Sequence, residues 1–385
     1  MLIAAVLLGA AVSAGKLGLC CEECNTTHYA PFAPQNGAAA AVSWAYRYSL
    51  FVDDAAAAAW LAGAGVEFVP HLAHKNVPLP DGSSCTIVAA EAAGEAADGK
   101  KVPLCTAAAL DAALAANGAV SSSGGKQPPL LTTRYLMGWN EAYDHSGSKA
   151  AKKYIAPADA AMYWRTVVQG LATRAHPPLS LVSPTTGVEK GKMEWLGDML
   201  LACWATRDLG CDVETIVAFS VHDYKCGETY WRGNYGANGT FQTGLAAYLL
   251  AAPPSSSSSS SAAATKDWTS YVNARPIWVT ETNCNGDNGF PPTGPVSRGE
   301  QCARITGQRA DEECGQYGKC GAGSIAAMES MATIGRVSWW NTHQANKDNS
   351  TKTANAMLVD DAGQLYPAGR ALVGGLPKGL DCGTS

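Results

Sequence analysis

A chain of 385 residues, 47% hydrophobic and 16% charged, has the apolar material for a sizeable core and the length of one large barrel or two ordinary domains. Its 33 acidic and 28 basic residues leave a net charge of −5 with no basic run, which argues against nucleic acid or an anionic membrane surface as partner. A neutral substrate fits better.

The chain opens with MLIAAVLLGAAVSA, an apolar stretch ending in the small-x-small pattern Val12-Ser13-Ala14. Residues 1–14 read as a signal peptide cleaved before Gly15, too short to anchor in a bilayer. The rival reading is a buried N-terminal strand. No later segment runs to about 18 apolar residues without interruption, so no membrane span is expected. Thirteen cysteines suit an oxidising compartment and a secreted, extracellular or cell-wall protein. Cys85 with Cys105, and Cys203 with Cys211, are candidate disulfides. Cys302, Cys314 and Cys320 cluster near a polar loop, and the odd count leaves at least one thiol over. A metal cluster at Cys20, Cys21 and Cys24 is the alternative, but no second CxxC or spaced histidines accompany it. No metal or organic cofactor is expected. Sequons at Asn25, Asn238 and Asn349 fit a secreted glycoprotein.

After the leader, short β-branched or aromatic runs alternate with Ala/Leu-rich helical stretches, the pattern of parallel strands joined by helices. Eight strands are predicted, over Leu17–Cys21, Val42–Tyr46, Val66–Pro70, Arg134–Trp139, Leu179–Ser183, Thr215–Val221, Pro276–Glu281 and Arg336–Trp340. Helices are predicted over Asp53–Ala62, Thr106–Ala116, Ala158–Ala172, Met193–Cys203 and Ser324–Ile334. Eight such units predict an α/β fold, a single (β/α)8 TIM barrel, rather than an open sheet. No GxGxxG or GxxxxGK[ST] follows any strand, which removes the usual nucleotide-binding signal. Two insertions, near 75–133 and 253–264, interrupt the rhythm; the second carries the serine run Ser255–Ser261, expected at the surface. Barrel units resume after both, so residues 15–385 read as one catalytic domain.

In a barrel the C-terminal strand ends form the active face. Two predicted strands end in a carboxylate: Arg134–Trp139 runs into Asn140-Glu141, and Pro276–Thr280 into Glu281. A Glu after a strand is more often a solvated loop residue. Two on one barrel are what a glycosidase needs, one to protonate the leaving oxygen and one to attack the anomeric carbon.

Gly138-Trp139-Asn140-Glu141 resembles the G-[FW]-N-E-P segment of glycoside hydrolase family 128, in the clan of barrel glycosidases with glutamates on strands four and seven. Pro276-Ile277-Trp278-Val279-Thr280-Glu281 resembles its P-[IV]-W-[LV]-T-E segment. Ser43–Tyr46, Val66–Pro70, Leu181–Pro184, Cys211–Tyr224 and Gly363–Gly369 are similar to its other segments, in the family's order over roughly residues 16–375. The resemblance implies a retaining hydrolase of β-1,3-glucan, a polysaccharide partner, and double displacement with Glu281 as nucleophile and Glu141 as acid/base. It implies that Asn140 bonds the sugar 2-OH and that His222 and Tyr224 orient or polarise Glu281. Trp44, Trp339 and Trp340 are candidate sugar-stacking residues, although Trp in a barrel is more often core. Ala142 departs from the family's proline, and Asp223 from the tryptophan between His222 and Tyr224.

The competing readings are a non-catalytic β-glucan-binding barrel, a glycosidase for another β-linked polysaccharide, and a cysteine-rich matrix adhesion protein. A monomer is expected. Retention predicts carboxyl groups about 5–5.5 Å apart, against about 6.5–9.5 Å for inversion. It also predicts an acidic bell-shaped profile, with Glu141 protonated and Glu281 ionised.

Overall fold

The structure, a computed structural model, describes residues 16–21, 25–34, 41–87, 103–116, 133–145, 153–225, 228–237, 239–251, 266–283, 302–303, 306, 324–343 and 357–373. The 1–14 leader, the serine run, Cys24, Cys314, Cys320, Asn238 and Asn349 lie outside the described residues.

Eight parallel strands make the inner layer: β1 (Leu17–Cys20), β2 (Trp44–Tyr46), β3 (Glu67–Val69), β4 (Tyr135–Met137), β5 (Ser180–Val182), β6 (Ile216–His222), β7 (Ile277–Thr282) and β8 (Ile334–Trp339). Their hydrogen-bonded order is β3-β2-β1-β8-β7-β6-β5-β4. The ring closes where the Met137 N–H donates to the Pro70 carbonyl at 2.9 Å and the Leu72 N–H to the Met137 carbonyl at 3.1 Å. This is a (β/α)8 barrel with helices outside.

The strands are short, and each side of them is buried against a different layer. Inside, Cys20, Trp44, Tyr46, Val69, Met137, Val182, Ala218 and Trp278 fill the barrel. Outward residues such as Leu19, Phe68, Leu136, Leu181, Phe219, Val279 and Val337 pack under the helices. The helices bring the matching stripe: Lys190–Ala205 buries Met193, Leu196, Leu200 and Cys203, spaced three or four residues apart on one face. Asp54 and Thr106 cap their helices by accepting hydrogen bonds from first-turn N–H groups.

The N-terminal end is plugged by charge and rings. Glu67 is buried and accepts from Arg134 at 2.8 Å and Arg336 at 2.5 Å. The Arg336 guanidinium lies over Trp278 at 4.3 Å, Tyr135 at 4.8 Å and Trp44 at 5.2 Å.

Two disulfides fall where the spacing put them, Cys85–Cys105 and Cys203–Cys211. Cys21 is also disulfide-bonded, which counts against the metal alternative for its cluster. The helix predicted over Ser324–Ile334 ends at Ser330, and β8 starts at Ile334. Pairing of Ile334 with Ile277 overrides the local helical pattern there. A hairpin of Asn76–Pro78 with Ser84–Thr86, and helices Glu228–Tyr235, Thr240–Ala251 and Trp268–Asn273, were not among the predicted elements. Among the described residues no helix is long and apolar enough to cross a membrane.

Candidate active site

The end of β4 turns sharply to present Glu141. A Cβ on Gly138 would come within 2.7 Å of the Pro184 backbone nitrogen, so only glycine lets β4 and the β5 end approach this closely. Glu141 has φ 50, a left-handed conformation that a non-glycine residue rarely adopts and that costs about 1–3 kcal/mol. The turn is held on both sides. Asn140 N–H donates to the Ala73 carbonyl at 2.8 Å, Asp144 N–H to the Glu141 carbonyl at 2.9 Å, and Ile155 N–H to the Ala142 carbonyl at 3.0 Å.

Glu281, the penultimate residue of β7, is in register with His222 at the end of β6. Hydroxyl contacts at 2.8 Å run from Thr185 to Ser220 and from Ser220 to Thr280, tying the β5, β6 and β7 ends together inside the barrel. The Asp223 N–H donates to the Glu281 carbonyl at 3.0 Å. Glu281 is 3% exposed, and the hydroxyls of Tyr48 and Tyr224 donate to its Oε1 and Oε2.

His222 links the two carboxylates. Its Nδ1 lies 3.2 Å from Glu141 Oε1, and its Nε2 lies 3.1 Å from Glu281 Oε1, the latter too poorly aligned for a hydrogen bond. A neutral imidazole has one N–H and can serve one carboxylate; only the imidazolium serves both. Glu141 Oε2 accepts from Lys153 Nζ at 2.5 Å, and Tyr143 donates to Oε1 at 3.3 Å.

These contacts pull the two carboxyls in opposite directions. Burial pushes Glu141 up, but the His222 hydrogen bond and charge, with the Lys153 ammonium, outweigh it and hold the group well below the usual carboxylate range. Burial pushes Glu281 up, and the Glu141 charge adds to that; His222 and the two tyrosine hydroxyls pull it back only in part. This reverses the order expected from the sequence, in which Glu141 carries the proton. The larger cause is His222, and the Lys153 ammonium, which no strand-end pattern announces, adds to it.

Residues 119–233 match the family model Glycosyl hydrolase catalytic core. That span holds Asn140, Glu141, His222 and Tyr224 and stops before Glu281. No curated protein matches the chain. Among solved structures, the chain is similar to a family 128 subgroup V exo-β-1,3-glucanase from Cryptococcus neoformans, with 16% identity over 94% of this chain and 100% of that one and a TM-score of 0.50. A subgroup II endo-β-1,3-glucanase from Sorangium cellulosum gives 20% identity over 94% and 99%, with a TM-score of 0.49. The shared barrel is what the likeness to the Cryptococcus protein shows.

The structure brings Asn140, Glu141, His222, Tyr224, Glu281 and Trp340 to one rim. Trp340 meets Tyr224 edge-on at 5.7 Å. Asn140 Oδ1 and both polar side-chain atoms of Asn341, just past β8, are buried without a protein hydrogen bond. Trp44 and Trp339 do not belong to this group and are corrections. Trp44 is fully buried near the opposite end, its indole N–H donating to the Lys16 carbonyl at 2.9 Å. Trp339 is 1% exposed and packs outward under the helices. Tyr48, Tyr143 and Lys153 escaped the sequence reading. The signal for Tyr48 was its place two residues past β2, on the active face. Tyr48→Phe removes one of two donors to Glu281, and we expect kcat on a β-glucan to fall about 10- to 100-fold with an unchanged fold, checked by initial rates and circular dichroism.

Asp223, the departure noted in the sequence, is turned into the protein. Its carboxylate accepts from Tyr230 at 2.6 Å and Tyr235 at 2.9 Å, anchoring the loop that carries Tyr224. Burial pushes the group up to about 6, the two tyrosine hydroxyls opposing. Between pH 4 and 6 the folded chain therefore holds a proton that the unfolded chain releases, and stability falls as pH rises through that window by roughly 2–3 kcal/mol. Asp223→Asn should flatten this slope in thermal unfolding followed from pH 4 to 7.

Proposed function

We propose that the chain is a retaining glycoside hydrolase of β-1,3-glucan, with Glu281 as nucleophile and Glu141 as acid/base. The observation that carries this reading is the contact of one imidazole, His222, with both carboxylates over one barrel rim. A core-packing role would not gather two glutamates, three phenols and a lysine at the strand ends, because each buried charge costs desolvation.

The first step requires the proton on Glu141, the less favoured site in the resting pair: from that form the ionised Glu281 attacks the anomeric carbon while Glu141 protonates the departing oxygen; in the second Glu141 takes the proton of the attacking water. Tyr48 and Tyr224 fix the attacking oxygens. Burial pushes both phenols far up in titration, so they remain donors throughout. Asn140 is assigned to the sugar 2-OH and Trp340 to a sugar face. β-1,3-glucan is the substrate class because the motif order resembles family 128 and because the Cryptococcus protein with this fold is an exo-β-1,3-glucanase. Export belongs to the same reading, supported by the two disulfides and the apolar leader.

The test is reducing-sugar release from laminarin and curdlan, with β-1,4-mannan and cellulose in parallel. Release from the β-1,3-glucans is the expected outcome. Release from the β-1,4 polymers alone would move the substrate assignment, and binding without release would return the chain to the lectin-like alternative.

A further inference from the structure

We propose that Lys153 is a positioning residue that clamps Oε2 of Glu141 and yields it to the glycosidic oxygen, and that this clamp sets the pH dependence of activity. The inference rests on the hydrolase reading for its consequence, but the clamp itself is a matter of geometry.

Glu141 has two oxygens with different company. Oε1 faces His222 at 3.2 Å and Tyr143 at 3.3 Å. Oε2 faces Lys153 at 2.5 Å, and both side chains are largely shielded, 17% and 20% exposed. An ion pair this shielded is screened little by salt. A proton cannot sit on Oε2 while the ammonium donates to it, so transfer to a leaving group requires Lys153 to withdraw. Once Glu281 carries the sugar its own charge is gone, and Glu141 must then be an ionised base. A returning ammonium favours that form.

The other groups around Glu141 leave Oε2 to Lys153. From β6 come His222 and Tyr224; from β7, Glu281; on its own loop, Tyr143. Behind Tyr143 lies Lys192, 5.2 Å from the ring and paired with Glu189 at 3.3 Å. Lys192 is thus engaged by its own partner, and the His222 hydrogen bond goes to Oε1. Among the described residues Lys153 is the cation that serves Glu141 alone.

The experiment follows the Glu141 carboxyl carbon by NMR in glutamate-labelled protein, its signal assigned by its loss in Glu141→Gln, and in parallel the pH dependence of kcat/KM on laminarin. Lys153→Met should raise the Glu141 titration midpoint by about one to three pH units and shift the pH profile of kcat/KM with it. Lys153→Gln, a second neutral variant, should do the same, and Lys153→Arg should restore near wild-type values. An unmoved midpoint in both neutral variants, or a uniform rate loss at every pH shared by Lys153→Arg, overturns the clamp. The titration needs no turnover. Absence of sugar release by the wild type would therefore sink the hydrolase reading without touching the test of the clamp.

Discussion

Glu281→Gln eliminates turnover of laminarin, with kcat lower by about 10⁴- to 10⁶-fold, the scale on which enzymes lose rate when their nucleophile is removed. The amide keeps the shape of the carboxylate but cannot form the glycosyl ester. The same change should leave the fold intact and raise its stability above about pH 5. Burial holds the Glu281 carboxyl above its ordinary range, so the ionised group costs free energy that the unfolded chain does not bear. Neutralising it removes that cost. Loss of activity with an equal or higher Tm is the expected pair of results, read by reducing-sugar assay and thermal unfolding at pH 7. A variant that keeps a tenth of wild-type activity would remove Glu281 from the chemistry.

Glu141→Gln should lower kcat/KM on laminarin by about 10²- to 10⁴-fold, the contribution of general acid–base catalysis. On an aryl glucoside the first step should survive far better, because a phenolate leaves without a proton. Added azide should then restore turnover and give a β-glycosyl azide, since the anion needs no base. Stability should move the other way from Glu281→Gln. His222 and Lys153 hold Glu141 well below the carboxylate range despite its burial, so its charge stabilises the fold above the unfolded carboxyl's pKa and is lost as pH falls. Removing that charge at pH 7 also leaves the shielded Lys153 without its partner, and Tm should drop. Opposite shifts in the two glutamine variants are hard to obtain from any arrangement but the one described.

The barrel was legible because its strands are apolar on both sides and short, which writes eight separated runs into the chain. The two glutamates were legible because each ends such a run. Trp44 and Trp339 misled because indole is equally at home in a core and on a sugar face, and only the strand position separates the two. Trp44 opens β2, at the plugged end beside Arg336, whereas Tyr48 comes two residues after β2 and reaches Glu281. Lys153 was invisible for a different reason. It lies twelve residues past Glu141, on no strand end, and only the folded chain brings ammonium to carboxylate. Asp223 showed in the sequence only as a departure from the tryptophan between His222 and Tyr224. Its meaning lay in Tyr230 and Tyr235, on a helix the aromatic-rich sequence around it did not announce.

The most direct measurement is peptide mass spectrometry after treatment with a 2-deoxy-2-fluoro-laminaribiosyl fluoride, which forms the covalent intermediate quickly and hydrolyses it slowly. One 2-deoxy-2-fluoro-laminaribiosyl group esterified to Glu281, with activity lost in proportion, is the predicted result. Inactivation with the label on another side chain, or rapid hydrolysis of the reagent to the α-anomer with no adduct, would contradict a retaining pair at Glu141 and Glu281.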